Sequence, residues 1–354
     1  MLDDIPAHLV RTALGFVAGM ALGYVARHGR FCTLGALEDA VYAEDYRRLQ
    51  AWAVTAATAI AATHLLAATT DVDLSRSIYV SPRLEWAGAA FGGFLFGVGM
   101  ALVGTCGFGT LLRLGGGDLK ALVTFLVIAV AAVMAMRGAT GLVRLSVLEP
   151  LSADLAPLRS QRLGDVLRLP AALHGALAAA VATALALPAL LNTQFRRSPK
   201  NLLTGISVGA LVTLGWWITG DVGYDPFAER RVESFTFVAP LGEALLYVML
   251  ASGTQIDFPV GSVFGVTAGA FAAAYRSGEF RWEAPDDARE MRRHLLGAFL
   301  MGTGGIAALG CTIGQGVTGI STLSVGSFVA IASILFGARC GLYWLVEREI
   351  AVIR

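Results

Sequence analysis

Leu295–Ala338, LLGAFLMGTGGIAALGCTIGQGVTGISTLSVGSFVAIASILFGA, runs for 44 residues without one Asp, Glu, Lys or Arg. A helix that crosses a bilayer needs about 20 apolar residues, with a range of roughly 17 to 25. The stretch is too long for one crossing and suits two with something between them. Its centre, Gly302 to Gly319, holds 7 glycines in 18 residues. Each glycine in a helix interior costs about 1 kcal/mol relative to alanine, so the spacing predicts a helix that breaks inside the membrane. Backbone left unpaired at that depth is tolerated only where it is buried in protein or lines a cavity.

The rest of the chain reads the same way. Further uncharged stretches cover Thr12–Ala26, Ala51–Thr70, Ala87–Leu112, Ala121–Met136, Leu169–Phe195, Asn201–Gly220, Ala244–Ile256 and Phe258–Tyr275, which predicts eight to ten spans in all. Hydrophobic residues make up 56% of the 354, charged residues 15%, and mean hydropathy is +0.66. A soluble domain carries about 25% charge, so the chain cannot clothe itself in water. A net charge of +1 offers no basic field for nucleic acid. Disordered proteins, nucleic-acid binders and ordinary cytosolic enzymes are excluded. Asp3 and Asp4 precede the first apolar run and no small-residue cleavage site follows it, so Leu9–Val25 is expected to be a retained first span.

Basic residues of short loops mark the cytoplasmic side. They cluster at Arg27, Arg30, Arg47 and Arg48, at Arg196, Arg197 and Lys200, and at Arg276, Arg281, Arg289, Arg292 and Arg293. All three clusters are expected inside, with the N-terminus outside. The connection Arg137–Arg168 is read as the linker between two halves.

The halves share a pattern. An offset of 205 carries Cys106 onto Cys311, Gly92 onto Gly297, Phe94 onto Phe299, Leu95 onto Leu300, Gly97 onto Gly302, Gly99 onto Gly304 and Gly109 onto Gly314. Glycine, phenylalanine, leucine and cysteine in one gapless register predict an internal duplication. Gly92–Gly117 holds 10 glycines in 26 residues, so it too is expected to break. Gly15, Gly19 and Gly23 are different: glycine at four-residue spacing lets two membrane helices approach closely. Paired broken helices in two halves are the sequence pointer to a transport site near the midplane. The expected fold is thus an all-α polytopic membrane protein, a single transmembrane domain over 1–354. Two pseudo-symmetric repeats, 9–137 and 201–346, flank a linker and connecting span at 138–200, their re-entrant or broken helices meeting at a central constriction.

Four cysteines are present, Cys32, Cys106, Cys311 and Cys340, and none forms a CxxC pair. The five histidines stand singly, so no metal site and no cofactor is expected. Cys340 reads as a small buried hydrophobe. The other three each follow an apolar span amid glycine and hydroxyl residues: Gly-Arg-Phe-Cys32-Thr, Gly104-Thr105-Cys106-Gly107-Phe-Gly109 and Gly310-Cys311-Thr312-Ile-Gly314-Gln315-Gly316. A shared pathway role is expected for them.

The run Gly310–Gly319, GCTIGQGVTG, resembles the signature of the YeeE/YedE family, the sulphur-transport domain. Gly104-Thr105-Cys106 with Arg113–Asp118, the Arg30-Phe31-Cys32 segment and Glu233-Ser234-Phe235-Thr236-Phe237 are similar to other blocks of it, and the likeness runs from about residue 10 to 345. It implies an hourglass bundle with short re-entrant helices in a bacterial inner membrane. It also implies import of thiosulfate for sulfur assimilation, with Cys32, Cys106 and Cys311 as the pathway cysteines and a small cytoplasmic sulfurtransferase as partner. Gly107 stands where the other half has Thr312, which leaves the two motifs chemically unequal.

The chemistry agrees. Thiosulfate is a dianion with a soft terminal sulfur, and crossing a low-dielectric core requires replacing its water. Conduction needs sites favourable enough to enter and weak enough to leave. A protonated thiol is a weak donor of that kind, helix N-termini add partial positive charge, and Arg30 is placed to draw the ion onward. Two other readings remain open at this stage. One is a carrier or channel for another small sulfur or selenium species or anion. The other is a membrane sulfurtransferase using a cysteine persulfide, for which no general base or cofactor motif is apparent.

Overall fold

The protein is described by a computed structural model covering residues 6–224, 230–284 and 287–347. Helix α1 (Ala7–Gly29) and the short α2 (Thr33–Tyr42) precede α3 (Arg47–Thr69). A π-helical turn at Gly88–Gly92 leads into α4 (Gly93–Val103), followed by the short α5 (Gly107–Gly115) and by α6 (Leu119–Arg137). Beyond an irregular connection come α7 (His174–Leu191), α8 (Pro199–Trp217), α9 (Ala239–Leu250) and α10 (Phe258–Arg276). Helix α11 (Ala288–Ala307), the short helix α12 at 312–321 and α13 (Val325–Leu342) complete the bundle. Strand structure among the described residues amounts to one two-residue ladder, Arg83–Leu84 against Ala153–Asp154, and the isolated bridges Asp118–Glu283 and Arg162–Ser324. The protein is an all-α polytopic membrane protein. Eight helical stretches among the described residues are long and apolar enough to cross a membrane, within the expected range.

One apolar stretch differs from its sequence reading. Ala244–Ile256 was long enough on paper to approach a span, but α9 has 12 residues, about 18 Å at 1.5 Å per residue. That is well short of a hydrocarbon core of about 30 Å. The chain ahead of α9 is extended instead: Phe235, Phe237 and Val238 are fully buried, so this segment reaches the centre without a helix. Side chains of its neighbours satisfy its backbone. Thr219 Oγ1 donates to the Glu233 carbonyl at 2.6 Å and Thr318 Oγ1 to the Phe235 carbonyl at 2.6 Å, as unpaired backbone at membrane depth requires.

Both glycine-rich runs break. Helix α4 ends at Gly104, which takes a left-handed conformation (φ 76°), and α11 ends just before Leu309 (φ 57°). Positions 104 and 309 are equivalent under the offset of 205. The connection 138–173 is more than a tether. Gln161 accepts the Val325 N–H on its carbonyl at 3.0 Å and the Gly326 N–H on its side chain at 3.2 Å, pinning the start of α13.

Candidate functional site

The three motif cysteines sit at the start of a helix each. Cys32 precedes α2, Cys106 caps α5 and Cys311 precedes α12. The orphan N–H groups of a helix's first turn ordinarily take a side-chain oxygen as cap. Here sulfur serves: Cys106 Sγ accepts the Gly109 N–H at 3.4 Å, and Cys311 Sγ accepts the Gly314 N–H at 3.4 Å. A protonated thiol that accepts in this way still has its S–H as a donor. Cys106 and Cys311 are 2% and 0% exposed. The Cys106 thiol lies within electrostatic reach of Cys32 and Cys311, with the Thr312 hydroxyl beside it. Cys340, half-buried on α13, stands apart from this group.

Two cavities border opposite ends of α1, and one of them reaches a motif thiol. Helix α1 sets the scale: its 23 residues span about 35 Å. Its C-terminal end borders a cavity of about 370 Å³ lined by Arg27, Arg30, Cys32, Arg48, Thr105 and Arg113, with Glu38 and Glu279. Arg27 and Arg30 each reach Glu279 at 3.8 Å. Thr204, just beyond the second basic cluster, packs on Gly29 at this same end. The other end of α1 borders a cavity of about 450 Å³ that holds Arg11, Arg137, Arg230, Arg231, Glu233, Glu243 and Asp257. Arg11 is 2% exposed and bridges Asp257 Oδ1 at 2.8 Å and Glu233 Oε1 at 3.3 Å. A buried cation needs such partners.

The supporting residues divide by what they touch. The Gly104 carbonyl accepts from the Arg113 guanidinium at 2.8 Å, and Thr105 lines the cavity beside Cys32. Gly109 and Gly314 supply the N–H groups that hold the thiols, and Gly107 lies against Leu241 and the Phe237 carbonyl. Thr312 is fully buried next to Cys106. Arg30 stays on the cavity rim, its side chain 80% exposed. Gln315 is occupied internally: its Nε2 donates to the Ala308 carbonyl at 2.5 Å, and its Oε1 accepts from Ser327 at 2.6 Å. It ties the break after α11 to α13. Gly310 sits within that break, and Gly316 packs on Ile331 and Trp52.

Sequence reasoning passed over Tyr79 and Arg11. Tyr79 reaches the Cys311 loop from a single turn, Ile78–Val80, capped by Ser77. Arg11 looked like the edge of the first span, because its partners lie more than two hundred residues away.

A profile of the sulphur transport family matches residues 28–340. The chain is similar to the thiosulfate transporter TsuA of Escherichia coli K12, 26% identical over 347 residues that cover 94% of each protein. It is also similar to the thiosulfate transporter TsuA of Spirochaeta thermophila, 26% identical over 349 residues, 95% of this chain and 99% of that protein.

Proposed function

The chain belongs to the sulphur transport family, and from that premise we propose that it imports thiosulfate across a bacterial inner membrane by way of Cys311, Cys106 and Cys32. The observation that carries the reading is the placement of the thiols. Two are buried at the centre, each capping a helix, and the third borders the arginine-rich cavity at one end. An arginine-rich mouth draws a dianion in or out, as charged clefts do. The centre offers it only weak donors and helix N-termini, so the ion is held without being trapped. The cavity bordered by Cys32 faces the cytoplasm in this reading, by the basic loops around it, and there a small sulfurtransferase takes up the ion. Radiolabelled thiosulfate uptake should appear when the chain is expressed in cells that lack other importers, and excess unlabelled thiosulfate should compete it away. Accumulation no greater than in cells carrying an empty vector would remove the reading.

The two halves, 9–137 and 201–346, are in this proposal related by a two-fold axis in the membrane plane. Contacts of α4 and the π-helical turn before it with α11 support it. A Cβ added to Gly92 would lie 2.6 Å from the Gly304 carbonyl oxygen, and one added to Gly99 would lie 2.5 Å from that of Gly297. The offset of 205 turns Gly92 into Gly297 and Gly99 into Gly304, so each glycine meets the equivalent of the other. Such reciprocal contact is what a two-fold axis produces, and the helices cross antiparallel. Ala139 and Trp344 are equivalent and exposed. Single cysteines at these positions, in a protein freed of its own cysteines, should react with an impermeant maleimide from opposite sides. Labelling from the same side would leave the duplication but remove the inversion.

A further inference from the structure

Three hydroxyls around the central thiols are without the partners that buried polar groups have. Tyr79 Oη, Thr236 Oγ1 and Thr312 Oγ1 make no hydrogen bond of ordinary geometry among the described residues. Tyr79 is 4% exposed and Thr312 is 0% exposed. The three come from separate parts of the chain: the turn Ile78–Val80, the extended segment before α9, and α12. Tyr79 and Thr236 meet at Gly314, and Thr312 lies on the Cys106 side of the same two thiols. A Cβ on Gly314 would lie 3.2 Å from Tyr79 Oη and would collide with Thr236 Oγ1. Their nearest polar neighbours are the thiols and one another: Thr236 lies within reach of the Cys311 thiol and of Tyr79 Oη, and Thr312 within reach of the Cys106 thiol.

Neighbouring hydroxyls are occupied. Thr318 Oγ1 donates to the Phe235 carbonyl at 2.6 Å, Ser234 Oγ to the Val212 carbonyl at 2.6 Å, and Thr110 Oγ1 to the Cys106 carbonyl at 3.0 Å. A polar group is expensive to bury without a good acceptor, and three hydroxyls with only thiols and one another beside them suit a ligand with several acceptors. The cluster is one-sided as well, since the first half has Gly107 where the second has Thr312.

We propose that Tyr79, Thr236 and Thr312 form a three-hydroxyl cradle for the sulfonate oxygens of an S–SO₃-type dianion, while the Cys106 and Cys311 thiols face its soft terminal sulfur. The inference rests on the transport reading and deepens it. Hydroxyls are hard donors matched to hard oxygens; thiols are soft and weak. An anion with three oxygens and one soft atom satisfies both sets at once. Sulfate, with a fourth oxygen in place of the sulfur, presents a hard atom to the thiols, so the cradle also discriminates between the two ions.

Initial rates of radiolabelled thiosulfate uptake test this in Tyr79→Phe, Thr312→Val and Thr312→Ser, beside Cys106→Ala, with membrane levels quantified. Loss of a hydrogen bond to a charged ligand corresponds to roughly a tenfold or greater loss of affinity. KM should therefore rise about tenfold in Tyr79→Phe and in Thr312→Val, with the maximal rate per inserted molecule held nearer wild type. Thr312→Ser, which keeps the hydroxyl, should retain the wild-type KM. Unlabelled sulfate should compete relatively better in the Phe and Val variants. Wild-type KM in both, while Cys106→Ala abolishes uptake, would overturn the cradle and leave the transport path standing. If Cys106→Ala is also without effect, the path falls with it. A lowered maximal rate with unchanged KM assigns the hydroxyls to packing and equally overturns the cradle. Equal loss in Thr312→Ser and Thr312→Val does the same.

Discussion

Alanine at Cys106 or at Cys311 is expected to cut thiosulfate uptake to a few per cent of wild type while the protein stays folded in the membrane. Each thiol is a donor on the path, and a hydrogen bond to a charged group is worth about 1.5–3 kcal/mol, or roughly a 10- to 150-fold change. The structural loss is smaller. Within the protein each sulfur accepts the N–H of a glycine three residues on, and removing a helix cap costs about 1 kcal/mol. Serine separates the two roles. Its hydroxyl is among the preferred caps, so thermal stability should hold or rise in Cys106→Ser and Cys311→Ser. The same hydroxyl is hard, binds water well and matches a soft sulfur poorly, so uptake should still fall. Cys340→Ala, on α13 and apart from the path, should import normally. A triple alanine variant at 32, 106 and 311, well inserted and importing at the wild-type rate, would falsify the thiol pathway.

How much of this was legible in the sequence depends on the length scale of each interaction. The helix breaks were, because glycine density at membrane depth is a local property. Gly104 and Leu309 fall where that density placed them, and both take positive φ. The rows of glycine in α1 likewise announced a close helix contact. What sulfur does within each motif was not legible, since capping depends on a backbone turn that no spacing reports. Gln315 shows the limit most clearly. In a signature of small and polar residues it read as support for the path, and nothing in the spacing told what it holds: its amide spans the break to Ala308 and Ser327. Hydropathy also could not tell the half-length α9 from a full span, because an apolar run of that size suits both. Tyr79 and Arg11 depend on partners far along the chain, which one sequence does not reveal. The cytoplasmic-end cavity was more accessible: Arg27, Arg30, Cys32 and Arg48 are close in sequence, and the fold adds Arg113 and Glu279.

Alanine at Gly19 or at Gly265 is expected to destabilise the bundle sharply, although it adds a single methyl group. Helices α1 and α10 meet along a seam of glycine on both sides. Gly15, Gly19 and Gly23 lie on Phe258, Ser262 and Val266, while Gly261, Gly265 and Gly269 lie on Thr12, Phe16 and Met20. In every case the nearest obstacles to an added Cβ include a backbone carbonyl oxygen. At Gly19 the Ser262 carbonyl would be 2.6 Å from it. Between membrane helices, lipid tails are as apolar as any side chain, so association relies on this packing and on close backbone approach. A flexible side chain could move aside, but a carbonyl within a helix cannot, so the two helices must separate along their length. Overpacking costs about 1–3 kcal/mol where neighbours can adjust, and the seam falls at or above the top of that range. Gly175, where an added Cβ meets nothing within 4 Å, is the control. Alanine there should leave the melting temperature unchanged or raised, since alanine gains about 1 kcal/mol over glycine in a helix. Detergent-solubilised Gly19→Ala and Gly265→Ala should melt well below both. Melting at the wild-type temperature in either variant would show that the helices are not held by backbone contact. The effect should extend to transport, because the C-terminal end of α1 carries Arg27, Arg30 and the chain into Cys32. A seam variant that still inserts should therefore lose uptake through the displacement of Cys32, with Cys106 and Cys311 left in place.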